Sequence, residues 1–85
     1  MYEILLSACG NPDHGENPFD NIVNGIKIPC YWAMGETIDD VVREARMYIE
    51  KYNLGSGNWN GGRIDIDDVT VGYMSYNGRV WSERR

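Results

Sequence analysis

TIDDVVREARMYIEKYNLG, residues 37–55, is the stretch that determines the fold, because it predicts an amphipathic helix. Its apolar residues recur at the spacing of one helix face, and they are Ile38, Val41, Val42, Ala45, Tyr48, Ile49 and Tyr52. Thr37 with Asp40 three residues later predicts an N-terminal cap, and Lys51 and Gly55 predict the end. We therefore expect a helix over about residues 38–53.

Short apolar or alternating segments on both sides of this helix predict a sheet. They are residues 2–8, 26–32, 63–66, 69–76 and 79–82. Pro29 lies in the second segment, which places that strand at an edge or at a bulge, because proline cannot donate to a ladder. The expected fold is a single α+β domain over residues 1–85, in which one helix packs on a four- or five-stranded, mainly antiparallel sheet in the order β-β-α-β-β-β.

Turn residues predict the connections. Asn77-Gly78 predicts a type I′ hairpin between the last two strands, and Asn24-Gly25 predicts a hairpin turn after the short arm Ile22-Val23. Asp67-Asp68 predicts a turn between two strands. Residues 11–21 are dominated by Asn, Pro, Asp, Gly and Glu, and they predict an acidic loop of a length that is more often functional than incidental.

The charge balance limits the class of partner. Thirteen acidic residues face eight basic ones, a net charge of −5, and the first forty residues contain Lys27 as their only base. Binding along a phosphate backbone depends on Lys and Arg, so we expect no direct nucleic-acid binding and instead a protein partner with a basic surface. The apolar runs are much shorter than the ~20 residues of a membrane span, and two cysteines without a secretory signal predict a cytoplasmic chain with reduced thiols.

No stretch of the sequence contains a catalytic motif. Cys9, His14 and Cys30 are the residues that a zinc site or a Cys-His pair would use. Their spacing matches no zinc pattern, and free cysteines are commonly small buried hydrophobes. We therefore expect no catalytic residue, no metal and no cofactor, and we keep a small metal- or thiol-dependent enzyme as the alternative.

The aromatic side chains exceed what a small core can hold. They include Trp32, Trp59, Tyr73, Tyr76 and Trp81. In the run 69–76 strict alternation places Val69, Val71, Tyr73 and Ser75 on one face, and Thr70, Gly72, Met74 and Tyr76 on the other. If the helix covers the first face, the second is an open contact surface with Met74 and Tyr76, which could also mediate a homodimer; otherwise these residues pack under the loops.

These features together favour a non-enzymatic protein that docks by an acidic and aromatic surface and acts by occlusion. The candidate partner-binding residues are Asp13, Glu16, Asp20, Glu36, Asp39, Asp40, Trp59, Met74 and Tyr76.

In size, acidity, one-helix plan and the closing run Ser75-Tyr76-Asn77-Gly78-Arg79-Val80-Trp81, the chain resembles small phage-encoded accessory proteins, a group that includes anti-CRISPR inhibitors. The resemblance covers the architecture of the whole chain and no defining motif, so it assigns no role to any residue. It implies an inhibitor that covers the nucleic-acid-binding surface of a host defence complex, such as a CRISPR effector, in the host cytoplasm. A homo-oligomeric structural module is a further alternative.

Overall fold

The computed structural model describes residues 1–82, and residues 83–85 of the predicted domain lie outside the described part. The elements are β1 (Tyr2–Leu6), a 3-10 helix (Pro12–His14), β2 (Ile22–Val23), β3 (Ile26–Lys27), β4 (Tyr31–Gly35), α1 (Ile38–Lys51), β5 (Arg63–Ile66), β6 (Val69–Met74) and β7 (Val80–Trp81). Five strands form one antiparallel sheet in the order β4-β1-β5-β6-β7, and β2 pairs with β3 in a second, small sheet. The expected α+β fold with one helix and a five-stranded sheet is confirmed.

The predicted second strand is two separate elements. β3 ends at Lys27, β4 begins at Tyr31, and Pro29 lies between them. β3 pairs only with β2, whereas β4 joins the large sheet as an edge strand next to β1. Because proline lacks the N–H of a ladder residue, it separates the pairing of β3 with β2 from the pairing of β4 with β1. Four strands therefore precede the helix, where two were expected.

Helix α1 begins as its cap predicts and ends two residues earlier than expected. The Asp40 N–H donates to Thr37 Oγ1 at 3.1 Å, and the Thr37 N–H donates to Asp40 Oδ2 at 3.2 Å, which completes a capping box. At the other end Asn53, with φ of 52°, is the left-handed residue, and the Leu54 N–H donates to the carbonyl of Ile49 at 2.9 Å. This is a Schellman ending, so the predicted role of Gly55 as the left-handed cap is wrong.

The hairpin at Asn77-Gly78 is present, but its turn is not type I′. Gly78 has φ of 87° and Asn77 has no positive φ. The Gly78 N–H donates to the Ser75 carbonyl, and the Ser75 N–H donates to the Arg79 carbonyl, both at 2.9 Å, which is the pattern of a three-residue loop closed by a glycine bulge. Left-handed φ at both central residues occurs instead at Asn24-Gly25 and at Asp67-Asp68.

The core lies between α1 and one face of the large sheet. Its buried apolar residues are Ile4, Leu6, Ala8, Val23, Ile28, Val41, Ala45, Tyr48, Leu54, Ile64 and Met74. Met74 is only 2% exposed, whereas Val69 is 61% exposed. The predicted face assignment in β6 is therefore wrong for Met74, which packs in the core and is not on an open surface.

A bulge explains this error. Ile66 pairs with Val69 and Asp65 with Thr70, but Ile64 then pairs with Gly72, so Val71 is an extra residue in β6. One inserted residue exchanges the faces of every residue that follows it. The predicted faces therefore hold for Val69 and Thr70 and are exchanged from Gly72 onwards. As a result Met74 lies on the core side of the sheet.

Candidate functional site

One face of the large sheet carries no helix, and we call it the open face. Its residues occupy paired positions across the five strands, on the side away from the buried Ile4 and Ile64: Glu3, Leu5, Trp32, Met34, Arg63, Asp65, Thr70, Tyr73 and Trp81. A spare sheet face was predicted, but with Met74 and Tyr76 as members. Tyr76 lies instead in the β6–β7 hairpin, 40% exposed, and its hydroxyl donates to the Leu54 carbonyl at 2.9 Å.

Three polar side chains of the open face, Arg63, Asp65 and Thr70, bind one another. Arg63 donates from Nη2 to Asp65 Oδ2 at 2.9 Å and from Nε to Oδ1 at 3.1 Å, and the Thr70 hydroxyl donates to the same Oδ1 at 2.9 Å. The Arg63 guanidinium also lies 5.3 Å from the centroid of the Trp32 ring. Asp65 is buried, and its hydrogen bonds from Arg63 and Thr70 hold the pKa of its carboxyl below the usual value. These contacts hold Arg63, Asp65 and Thr70 in place on the open face.

The second candidate surface is the acidic loop, residues 11–21, in which the Glu16 carboxylate accepts three hydrogen bonds. Glu16 Oε1 accepts from the Asn11 N–H at 3.0 Å and from Asn58 Nδ2 at 3.5 Å, and its Oε2 accepts from the Asn24 N–H at 2.7 Å. Hydrogen bonds to these backbone N–H groups, first that of Asn11, lower the pKa of the Glu16 carboxyl. Glu16 therefore acts within the fold, so it is not a free contact residue as the sequence suggested.

Phe19 is the most exposed large apolar residue of the described chain, at 95%, and it lies in this loop. The Phe19 N–H donates to Asn17 Oδ1 at 3.0 Å, and the Asp20 N–H donates to the Asn17 carbonyl at 3.2 Å, so a tight turn presents the ring. The sequence reasoning missed Phe19. The available signal was an aromatic residue inside a run of turn formers, where no strand or helix could bury it.

The predicted acidic residues do not form one patch. Asp13, Glu16 and Asp20 lie in the loop, which contacts the segment after the helix through the hydrogen bond from Asn58 Nδ2 to Glu16 Oε1 at 3.5 Å. Three others lie at the beginning of α1: Glu36, Asp39 and Asp40. A 14-residue helix is about 21 Å long, and it separates the two groups. Asp40 is further engaged by its cap and by Arg43 at 3.4 Å.

Trp59 was predicted as an exposed anchor, and the structure gives it a packing role. Its side chain is partly buried against the core, 6.2 Å from the Tyr48 ring. Its indole N–H donates to the Met74 carbonyl at 3.0 Å. Because its polar atom bonds to the backbone of β6, Trp59 attaches the 56–62 loop to the sheet.

The groove between that loop and the β6–β7 hairpin has a volume of about 240 Å³. Its lining residues are Ser56, Trp59, Asn60, Gly61, Tyr73, Met74, Ser75, Tyr76 and Trp81. The lining contains no carboxylate, imidazole or thiol, and the volume is below that of usual small-molecule pockets. Its polar side-chain groups are the hydroxyls of Ser56, Tyr73, Ser75 and Tyr76, the Asn60 amide and the indole N–H groups, with no carboxylate or imidazole beside them to act as a base.

Residues 1–82 contain no cluster of three His, Cys, Asp or Glu side chains placed to hold a metal ion, so Cys9, His14 and Cys30 do not form such a site. The Cys9 thiol lies 3.8 Å from the Gly57 carbonyl, and burial raises its pKa, whereas Cys30 Sγ accepts from the Ser7 hydroxyl at 3.4 Å. In the same described part, no helix has the length and apolar character needed to cross a membrane. No protein-family model matches the chain, and no curated protein or solved structure is detectably similar to it.

Proposed function

We propose that this protein is a non-enzymatic binding protein that docks onto a basic protein surface through its acidic loop, with Phe19 as the anchor. The observation that carries the proposal is the 95% exposure of Phe19 on a loop whose backbone is held by Glu16 and Asn17. Interface energy is concentrated in a few central side chains that become buried. A loop that is ordered before binding loses less conformational entropy when it docks.

The charge around Phe19 supports a basic partner. Asp20 directly follows Phe19, Asp13 lies in the same loop, and both are exposed, while no lysine or arginine precedes Lys27 in the chain. Carboxylates of this kind complement a lysine- and arginine-rich surface and raise the association rate. An arginine of the partner could also stack on the Phe19 ring.

Basic surfaces of this type are the ones that bind nucleic acids. We therefore propose that the protein is an inhibitor that occludes such a surface, and the resemblance to phage-encoded inhibitors makes a host defence complex, such as a CRISPR effector, the proposed target. The proposed site of action is the host cytoplasm. Occlusion requires no catalytic group on the docking surface.

The test uses the full chain as bait in a host lysate, with the captured protein identified by mass spectrometry and then purified. Two variants address the loop: Phe19→Asp, and the double variant Asp13→Lys/Asp20→Lys. The matched control is Glu44→Lys/Glu50→Lys, which makes the same charge change at two exposed positions of α1. Glu16 is left unchanged because it holds the loop.

The proposal expects that the wild type and the helix control capture the same partner, and that both loop variants lose at least about tenfold in affinity, the effect of one hot-spot side chain. The wild-type protein should also displace polynucleotide from the purified partner, and binding should weaken as salt is raised. Capture that is unchanged in both loop variants would contradict the proposal, as would a partner that keeps its nucleic acid when the protein is bound.

A further inference from the structure

Strand β4 is an edge of the large sheet, and within residues 1–82 no strand pairs with its outer side. The carbonyl of Leu5 accepts from the Gly62 N–H at 2.8 Å, which directs the backbone groups of Leu5 towards β5. Because these groups alternate along a strand, the neighbouring Ile4 is hydrogen-bonded to its partner Ala33. The N–H and C=O groups of Trp32 and Met34 are therefore directed outward, away from β1.

The two edges of the sheet differ in how they are protected. The opposite edge, β7, is only two residues long. By contrast β4 has five residues, Tyr31–Gly35, with no charged side chain, no proline and no register shift in its pairing with β1. Short strands, charges, prolines and bulges are the means by which proteins prevent edge pairing, and β4 has none of them.

We propose that a second copy of this chain pairs antiparallel with β4 about a two-fold axis at Ala33, which joins the two sheets into one. This register pairs Tyr31 with Gly35 and Trp32 with Met34, so it uses every residue of the strand. The outward backbone groups of Trp32 then meet those of Met34 in the other copy, reciprocally on both sides of the axis. This inference rests on β4 alone and is independent of the acidic loop.

The side chains fit the same register. Trp32 and Met34 are 39% and 61% exposed on the open face. Trp32 of each copy would cover Met34 of the other copy across the junction. On the opposite face the half-exposed Tyr31 ring would lie beside Gly35, a large residue next to a small one. Glu36 would lie opposite Cys30, so the two Glu36 carboxylates are at opposite ends of the junction and do not repel each other closely.

Sedimentation equilibrium of the full chain tests the proposal. We expect the mass to rise from 9.7 kDa towards twice that value between about 10 µM and about 1 mM, as for an interface at the small end of the size range. Met34→Pro should keep the fold and remove the dimer, because it deletes an N–H that β1 does not use. A mass that stays at 9.7 kDa throughout would overturn the proposal, and so would a folded Met34→Pro protein that dimerises like the wild type.

If circular dichroism shows that Met34→Pro is unfolded, Met34→Lys decides the question, with Val69→Lys as the control because Val69 is also 61% exposed. Dimerisation should be lost only in the Met34 variant. The register is tested in a Cys9→Ser background, where oxidised Glu36→Cys should form a dimer through the native Cys30 of the other copy. Within one copy these two positions lie at opposite ends of β4, too far apart to be joined. Equal crosslinking by Thr37→Cys would overturn the register.

Discussion

Oε2 of Glu16 accepts the backbone N–H of Asn24 at 2.7 Å, and through it the acidic loop is joined to the turn between β2 and β3. The other oxygen of the same carboxylate reaches Asn11 and Asn58. One side chain thus connects the beginning of the acidic loop, the turn between β2 and β3, and the segment after α1. The loop that presents Phe19 is held by this carboxylate and by the backbone hydrogen bond from the Gly10 N–H to the Asp20 carbonyl at 3.0 Å. Packing contributes less, because the residues around Phe19 are largely exposed.

Glu16→Gln should loosen the loop while the sheet stays folded. The amide keeps one acceptor oxygen, but it loses the charge and places N–H groups against the Asn11 or Asn24 N–H. We expect amide hydrogen exchange at Asn11 and Asn24 to become at least about tenfold faster, with no change in the amides of β1. Glu36→Gln is the control, because Glu36 is an exposed glutamate outside the loop, directly before the Thr37 cap of α1.

The pH dependence of the loop has a defined sign. Because the pKa of Glu16 is lowered in the folded chain, its stabilising effect is complete above the unfolded value near 4.5 and is lost as pH falls through the folded value. Exchange at Asn24 should therefore accelerate in acid in the wild type, after correction for intrinsic rates, and Glu16→Gln should remove this acceleration. An equally strong acid response in the Gln variant would show that another group controls the loop.

The features that the sequence predicted correctly are encoded within a few residues of each other. The Thr37 cap, the apolar stripe of α1 and the Asn24-Gly25 turn each depend on local geometry alone. The role of Glu16 depends on Asn58, 42 residues away, and no local pattern connects the two. The exposure of Phe19 likewise depends on which surfaces the rest of the chain covers.

The bulge at Val71 leads to a prediction with a matched pair of methionines. Met74 is 2% exposed in the core, and Met34 is 61% exposed on the open face. Met74→Ala should lower the free energy of unfolding by about 2–5 kcal/mol, because it removes buried methylenes and leaves a cavity. Met34→Ala should change it by less than about 0.5 kcal/mol. Urea unfolding at a low, fixed protein concentration measures both free energies. If Met34→Ala were the more destabilised variant, the burial of Met74 and the bulge that explains it would be wrong.

The ion pair of Asp65 with Arg63 should contribute to stability above acidic pH. The pKa of Asp65 is lowered in the fold, first by the hydrogen bond from Arg63, so the contribution is complete above the unfolded value near 3.8 and is lost as pH falls through the folded value. The loss of stability between about pH 6 and about pH 3 should be smaller in Asp65→Asn than in the wild type. Asp68→Asn is the control, because its φ of 65° is one that asparagine also adopts. An unchanged pH profile in Asp65→Asn would exclude this pair as a source of acid sensitivity.

Gly62 is the position where the 56–62 loop meets β6, and there is no space for a side chain at this position. Its φ is 106°, and an added Cβ would overlap the carbonyl oxygen of Met74, which also accepts the Trp59 indole N–H. The Gly62 carbonyl accepts from the Met74 N–H at 2.8 Å, so the two backbones cannot separate without breaking this bond. Gly62→Ala should therefore destabilise the fold by more than about 1 kcal/mol and shift the tryptophan fluorescence. Gly55→Ala is the control, because the nearest atom to its added Cβ is 3.4 Å away. If Gly62→Ala unfolds at the same urea concentration as Gly55→Ala, the loop is not held against β6 by this backbone contact.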